Sequence, residues 1–333
     1  MKRSRLVVTA AGSVVGLGLA LALGALVFDP ARAYVGPMPA EGLVLPADAK
    51  FVMGLDVKRF VQSPFYTRYA QQGGKPASFA DLEAKTGLDP ARDVDQIIVA
   101  GRPDQGNDGA VVLVRGRFDR YKLTRAIETR EKGVTSKKHE GNPIYLFNEG
   151  KKGAGALAFL GSDDDLLVMG SQKAVEAAVS SHFQGRTPLK QNTALLALLE
   201  RVKPGSTFWV VGDQSLLAQM PTGAGSPASG MQIPQLKGLL VTGELDPVVT
   251  LDVIGDAADQ AAATQLAQMV QGLVALASLQ AAQKPELKAL PQAFSVTTEG
   301  SSVHLSARLP YELMDALHGR KKAADVTPPP AAN

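Results

Sequence analysis

The chain has 333 residues, 45% of them hydrophobic and 20% charged, with a formal net charge of +3. This is a folded globular composition, long enough for one large domain or two smaller ones. The absence of cysteine excludes disulfides, thiolate metal sites and a cysteine nucleophile. The positive excess sits at the amino terminus, where Lys2, Arg3, Arg5 and Arg32 face only Asp29, and the remaining body is neutral. A neutral body without a basic stripe argues against a nucleic-acid partner, because phosphate contacts dominate such binding.

Met1–Arg5 is short and basic, and Leu6–Phe28 follows without a charge. Asp29-Pro30 breaks the run, and Ala31-Arg32-Ala33 has the small-x-small form of a signal-peptidase site. Residues 1–33 are therefore expected to be a signal peptide cleaved after Ala33, or a membrane anchor in which residues 6–28 cross the inner membrane uncleaved. The basic flank keeps the N-terminus inside, so either alternative places the body outside the cytoplasm, in the periplasm.

Residues 34–45 hold Gly36, Pro37, Pro39 and Gly42 and read as an extended linker, with folded structure starting at Pro46. Lys50–Asp56 reads as a strand, and Val57, Phe60 and Val61 as one side of a helix. Ser63-Pro64 is an N-cap followed by proline at the first helical position, opening a helix through Phe65, Tyr66 and Tyr69. Ser78-Phe-Ala-Asp81 has the capping-box form, and Gly87 ends that helix. Gln96–Gly101 and Ala110–Arg117 read as a hairpin, and Asp119 caps a helix containing Leu123 and Ile127. Strands are expected at Pro143–Phe147, Ala156–Leu160 and Leu166–Met169, with Ser162–Asp165 as a turn. Ser171 and Asn192 then cap two helices, the first closed by Gly185.

At Thr207 the pattern begins again. Thr207–Asp213 (TFWVVGD) parallels Lys50–Asp56 (KFVMGLD), Leu236–Gly243 parallels Asp95–Gly101, and Val248–Gly255 parallels Ala110–Gly116. A long helix is expected after Asp256, with Asp256 and Asp259 in its first turn, followed by strands at Phe294–Thr298 and Val303–Leu309 and a helix at Tyr311–His318. The expected fold class is α+β: two similar units of antiparallel sheet, at 46–202 and 203–320, with helices packed on one face. Pro221–Pro234 reads as a flexible loop and 321–333 as a disordered tail.

No catalytic signature is present. G-x-S-x-G and S-x-x-K are absent, and Gly223-Ala-Gly-Ser-Pro227 displaces the serine. Gly150–Gly155 lacks the Lys-Ser/Thr of a phosphate loop. His139, His182, His304 and His318 are far apart, and Asp163-Asp164-Asp165 lacks calcium-loop spacing, so no metal and no cofactor is expected.

Four segments, LPADAKFVMGLDVKRF, GLDPARDVDQIIVAG, VVLVRGRFD and LLVMGSQKAVEAAV, together with the signal-like start, resemble an uncharacterised family of exported bacterial proteins with no assigned activity. The resemblance covers most of residues 43–202 and rests on strands, caps and turns, so it implies export and transfers no site residue.

The first functional expectation is a non-enzymatic envelope protein acting as an interaction or scaffold module. The alternatives are a periplasmic carrier or sensor of an apolar, lipid-like ligand, and a hydrolase with a scattered site. The wall of an apolar ligand site falls to Leu266, Met269, Val270, Leu273 and Val274, which recur at spacings of three and four in the long helix. Gln265, Gln268 and Gln271 make that helix amphipathic rather than membrane-spanning. The patch for a protein partner falls to Phe65, Tyr66 and Tyr69.

Overall fold

The computed structural model of the protein describes residues 38, 40–70, 83, 87–130, 134–147, 154–160, 165–219, 234–282 and 289–317. The expected signal or anchor, the carboxyl tail, the Ser78–Asp81 box and nearly all of the Pro221–Pro234 loop lie outside them.

The chain is an α+β protein built on one antiparallel sheet. Its strands are β1 (Phe51–Asp56), β2 (Val94–Gly101), β3 (Ala110–Gly116), β4 (Thr135–His139), β5 (Asn142–Phe147), β6 (Gly155–Leu160) and β7 (Leu166–Gly170). They continue with β8 (Phe208–Gly212), β9 (Leu236–Glu244), β10 (Val249–Ala257), β11 (Phe294–Glu299) and β12 (Ser302–Leu309). Strands from both expected units join a single 12-stranded sheet in the order β11-β12-β10-β9-β8-β1-β2-β3-β7-β6-β5-β4. The join is the antiparallel pair of β1 with β8, in which Met53 faces Val210 and Gly54 faces Trp209. A Cβ on Gly54 would overlap the indole of Trp209, so this position of the seam requires glycine.

Seven α-helices complete the described fold: α1 (Val57–Gln62), α2 (Pro90–Asp93), α3 (Arg120–Arg130), α4 (Gln172–Phe183), α5 (Thr193–Leu199), α6 (Gln260–Ala282) and α7 (Tyr311–Leu317). The capping residues read from the sequence form the bonds their chemistry allows. Ser63 Oγ accepts from the Tyr66 amide at 3.3 Å, and Asp56, read from the sequence only as the end of a strand, also caps α1 by accepting from the Arg59 amide at 2.9 Å. Asp119 accepts from the Lys122 amide at 2.9 Å and Asn192 from the Leu195 amide at 3.1 Å.

Helices cover both faces of the sheet rather than the one expected. β2, β3, β6 and β7 are apolar at consecutive positions, so each strand presents an apolar row on either side. One face packs Val52, Ile98, Val111, Leu113 and Val168 against α4 and α5. The opposite face packs Leu55, Ile97, Val99, Val112 and Val114 against α1 and Leu123 of α3.

Three further differences have simple causes. The fold begins before Pro46, with a 3-10 turn at Ala40–Val44. Val44 and Leu45 enter the α4-face core, so apolar burial overrides the linker expectation at that end of the segment. β4 (TSKKH) is an edge strand with exposed lysines and carries no apolar signal. Asp256 lies not in the first turn of α6 but in β10, beside a bulge. The helix is capped instead by Asp259, which accepts from the Ala262 amide at 2.8 Å.

Asp256 accepts from Arg201 at 2.5 and 3.2 Å and from Ser302 at 2.7 Å. Burial alone would raise its carboxyl, but these bonds outweigh it and hold the group below its ordinary value of 3.8. A depressed carboxyl contributes stability that is present above the ordinary value and is lost as pH falls through the folded one. Arg201→Gln is expected to cost about 1 kcal/mol at neutral pH, discounted for the exposure of the guanidinium. In urea titrations that gap should close in acid. A gap independent of pH would show that Arg201 acts by packing alone.

Candidate functional site

The face of the sheet that carries α1 also carries α6, and it is covered unevenly. One row of side chains crosses the sheet in register, running through Tyr145, Leu157, Met169, Val112 and Val99 to Met53. It continues from Met53 through Val210, Val241, Val253 and Leu305 to Val296. The members from Tyr145 to Val99 are buried, whereas all those from Met53 to Val296 are only partly buried. Leu251, two residues from Val253 and hence on the same face, is also partly buried.

Val210, Val241, Leu251, Val253 and Leu305 form an apolar strip on β8, β9, β10 and β12. Among the described residues none of the five belongs to a buried cluster, although three such clusters border the strip. Toward β1 it meets the cluster of Phe60, Tyr66 and Leu245, against which Phe208 and Val249 pack. Toward β11 it meets that of Ala263, Ala267 and Val303. Near α7 it meets that of Leu290, Ala293 and Leu313.

Helix α6 packs over β10, β11 and β12. The residues that seat it are small: Ala263 and Ala267 are buried in its contact with the sheet. The larger wall residues of the sequence reading, Leu266, Met269, Val270, Leu273 and Val274, are each partly buried. One methyl group of Leu266 lies along the Cβ direction of Gly255, which is that of Val253, so α6 and the strip share a face. The strip residues are absent from the sequence reading of the site. Their signal was the alternation in β10, where Val249, Leu251 and Val253 interleave with Thr250 and Asp252. On the reverse side β10 and β12 are joined by polar contacts, Ser306 donating to Asp252 at 2.8 Å and Ser302 to Asp256, whereas Trp209, Val211 and Leu240 of β8 and β9 enter the opposite core.

The expected partner patch is divided. Tyr66 is buried in the α6-face core, and Phe65 is partly buried beside it. Their rings lie 5.8 and 5.9 Å from that of Phe60. The side chain of Tyr69 lies outside the described residues. Nearby, Tyr311 donates to the carbonyl of Leu245, with Arg68 over its ring. Burial pushes the Tyr311 phenol up to about 12.

Two polar groupings sit elsewhere. His139 Nε2 lies 2.7 Å from Ser180 Oγ, and Ser180 donates to Glu140 at 2.9 Å. A hydroxyl has one proton. With that proton on Glu140, the imidazole approaches as a donor and does not serve as a base for the serine. The grouping pins the β4–β5 hairpin to α4, assisted by Lys137 with Glu176 and by Gln184 with Glu140. A shallow depression of about 520 Å³ is lined by Asp48, Lys50, Arg102 and Asn192. Its cations are matched, Arg102 by Asp48 and Asp104 and Lys50 by Asp213. Among the described residues no cluster of His, Asp or Glu is arranged to hold a metal, and no helix is long and apolar enough to cross a membrane.

No protein-family model matches the chain, and no curated protein matches it. Among solved structures, crystal form I of TP0453 aligns with a TM-score of 0.44 at 11% identity, covering 86% of this chain and 98% of that one. Crystal form IV of TP0453 aligns with a TM-score of 0.42 at 12% identity over the same shares.

Proposed function

We propose that the protein is a non-catalytic binding module of the cell envelope, exported by its N-terminal segment, and that its working surface is the apolar strip beside α6. The occupant is an apolar, lipid-like chain. The observation that carries this reading is the row from Met53 to Val296, whose members are apolar, aligned and only partly buried. From β8 to β12 the strip crosses three inter-strand steps of roughly 4.8 Å, about 15 Å, a span matched by an extended acyl chain. A partly covered apolar face is where such a chain gains most, at about 0.8 kcal/mol per buried methylene. The wall contributed by α6 includes Met269, an adaptable side chain suited to a guest of variable length.

Native mass spectrometry of protein purified from its own cells should show a bound lipid-sized species. Leu273→Trp should displace it while the circular dichroism and melting transition stay unchanged. A ligand-free spectrum, combined with Leu273→Trp that merely destabilises the fold, would reject the carrier reading and leave the scaffold reading.

An internal repeat accompanies this proposal. Outward from the central pair, the strand order is β1-β2-β3-β7-β6 on one side and β8-β9-β10-β12-β11 on the other. Asp56 and Asp213 close the corresponding strands, and each accepts from a backbone amide that opens the following helical turn. On this reading β4 and β5 are an addition to the first copy.

A further inference from the structure

We infer that the protein self-associates through β11, pairing it antiparallel with β11 of a second copy about a two-fold axis at Val296. Among the described residues, β11 is the outermost strand at its end of the sheet. On the other side of the central pair the strand in the same ordinal place, β6, is not an edge, because β5 pairs with it antiparallel. Among the described residues the second half has no such hairpin, and no described strand takes beside β11 the place that β5 takes beside β6.

The two ends of the sheet differ in chemistry. β4 presents exposed Lys137 and Lys138, the usual protection of an edge against further pairing. β11 reads FSVTTE, with no lysine, proline or bulge, and its one charge is Glu299 at the tip. The adjoining helix α6 has 23 residues and not one charged side chain. Gln265, Gln268, Gln271 and Ala275 are nevertheless exposed, and Gly272 faces open space. Solvent-exposed helix surfaces ordinarily carry charge, and the cores of interfaces are depleted of it.

The register follows from the hairpin. Gly300 and Ser301 connect β11 to β12 in two residues, with Gly300 at φ +57°. Such a turn closes on a hydrogen-bonded pair, here Glu299 with Ser302. Thr297 and Ser295 then bond to β12, and Phe294, Val296 and Thr298 direct their amides and carbonyls outward. A two-fold axis at Val296 sets Val296 against its copy, Phe294 against Thr298 and Ser295 against Thr297. Like faces meet, all outward backbone groups are bonded, and Glu299 lies beyond the paired strands. This self-complementarity selects a second copy over an unrelated extended peptide.

Sedimentation equilibrium of the full chain in density-matched detergent should give twice the 34.9 kDa monomer mass at micromolar concentration. Val296→Pro removes an outward amide without touching the β11–β12 bonds, and should return the monomer. Thr297→Lys, whose exposed side chain points away from α6, should do the same and guards against loss of packing in the proline variant. Because the chain has no cysteine, the double variant Ser295→Cys with Thr297→Cys should form a covalent dimer on oxidation. A monomeric wild type, or a dimer that survives both Val296→Pro and Thr297→Lys, would overturn the inference. An association through the N-terminal segment would show itself in that second way.

Discussion

Replacing Trp209 with alanine is expected to lower the free energy of unfolding by about 3–5 kcal/mol, the range for deleting a large buried aromatic ring. Trp209 is 3% exposed and lies over Gly54 in the pair that joins the two halves of the sheet. The same contact makes Gly54→Ala unfavourable, because the new methyl would occupy the space of the indole. Overpacking of this kind costs about 1–3 kcal/mol. In the Trp209→Ala background the methyl enters a cavity, so Gly54→Ala there should be neutral or stabilising. Urea unfolding of the two single variants and the double variant measures this coupling, expected at about 1–3 kcal/mol for side chains in direct contact. Strict additivity would mean that the ring does not seat on Gly54 in solution.

The second large effect is on binding. Val241 and Val253 face each other across β9 and β10 in the middle of the strip. Valine and threonine have nearly the same shape, so changing both to threonine polarises the surface without altering its contour. An apolar guest would cover two hydroxyls, each at a cost of about 1–3 kcal/mol when left unpaired. With 1.4 kcal/mol per tenfold, a fluorescent fatty-acid probe should bind roughly thirtyfold or more weakly to the double variant. Stability should fall far less, because both positions are already partly open to water. Thr250→Val, on the opposite face of β10, is the control and should leave the affinity unchanged. Equal affinity in the valine and threonine proteins, or an equal response in the control, would place the ligand elsewhere and remove the strip as the working surface.

Much of the framework was legible in the chain because local signals are sufficient for it. The uninterrupted apolar runs at Ile97–Ala100, Val111–Val114 and Leu166–Met169 announce strands, and Ser63, Asp119, Ser171 and Asn192 announce helix starts through bonds made within three residues. The apolar side of α6 was equally plain, since it depends on spacing alone. Local signals also misled where two meanings share one pattern. Asp256 before an alanine-rich run looks like a first-turn acid, and only the pairing of β10 with β12 shows it to be a strand residue held by Arg201. β4 was invisible because an edge strand need bury almost nothing.

The site itself was decided by tertiary structure. The sequence determined that Val249, Leu251 and Val253 alternate with Thr250 and Asp252, which fixes that these three share a face. It did not determine that Val241 of β9 lies beside Val253, which is set by strand register, or whether a helix covers that face, which depends on where α6 lands. The buried alanines 263 and 267 seat α6 over β10, β11 and β12, and the strip beside it stays partly open. The pairing of β1 with β8 likewise depends on segments about 150 residues apart meeting edge to edge. A backbone edge carries no residue code that spacing could reveal. The sequence by itself set most of the strands, the caps, the uncharged character of α6 and the absence of lysine from β11. Only the folded sheet decided which apolar row is partly buried and which strand is outermost among the described residues, because both are properties of what packs against an element rather than of the element.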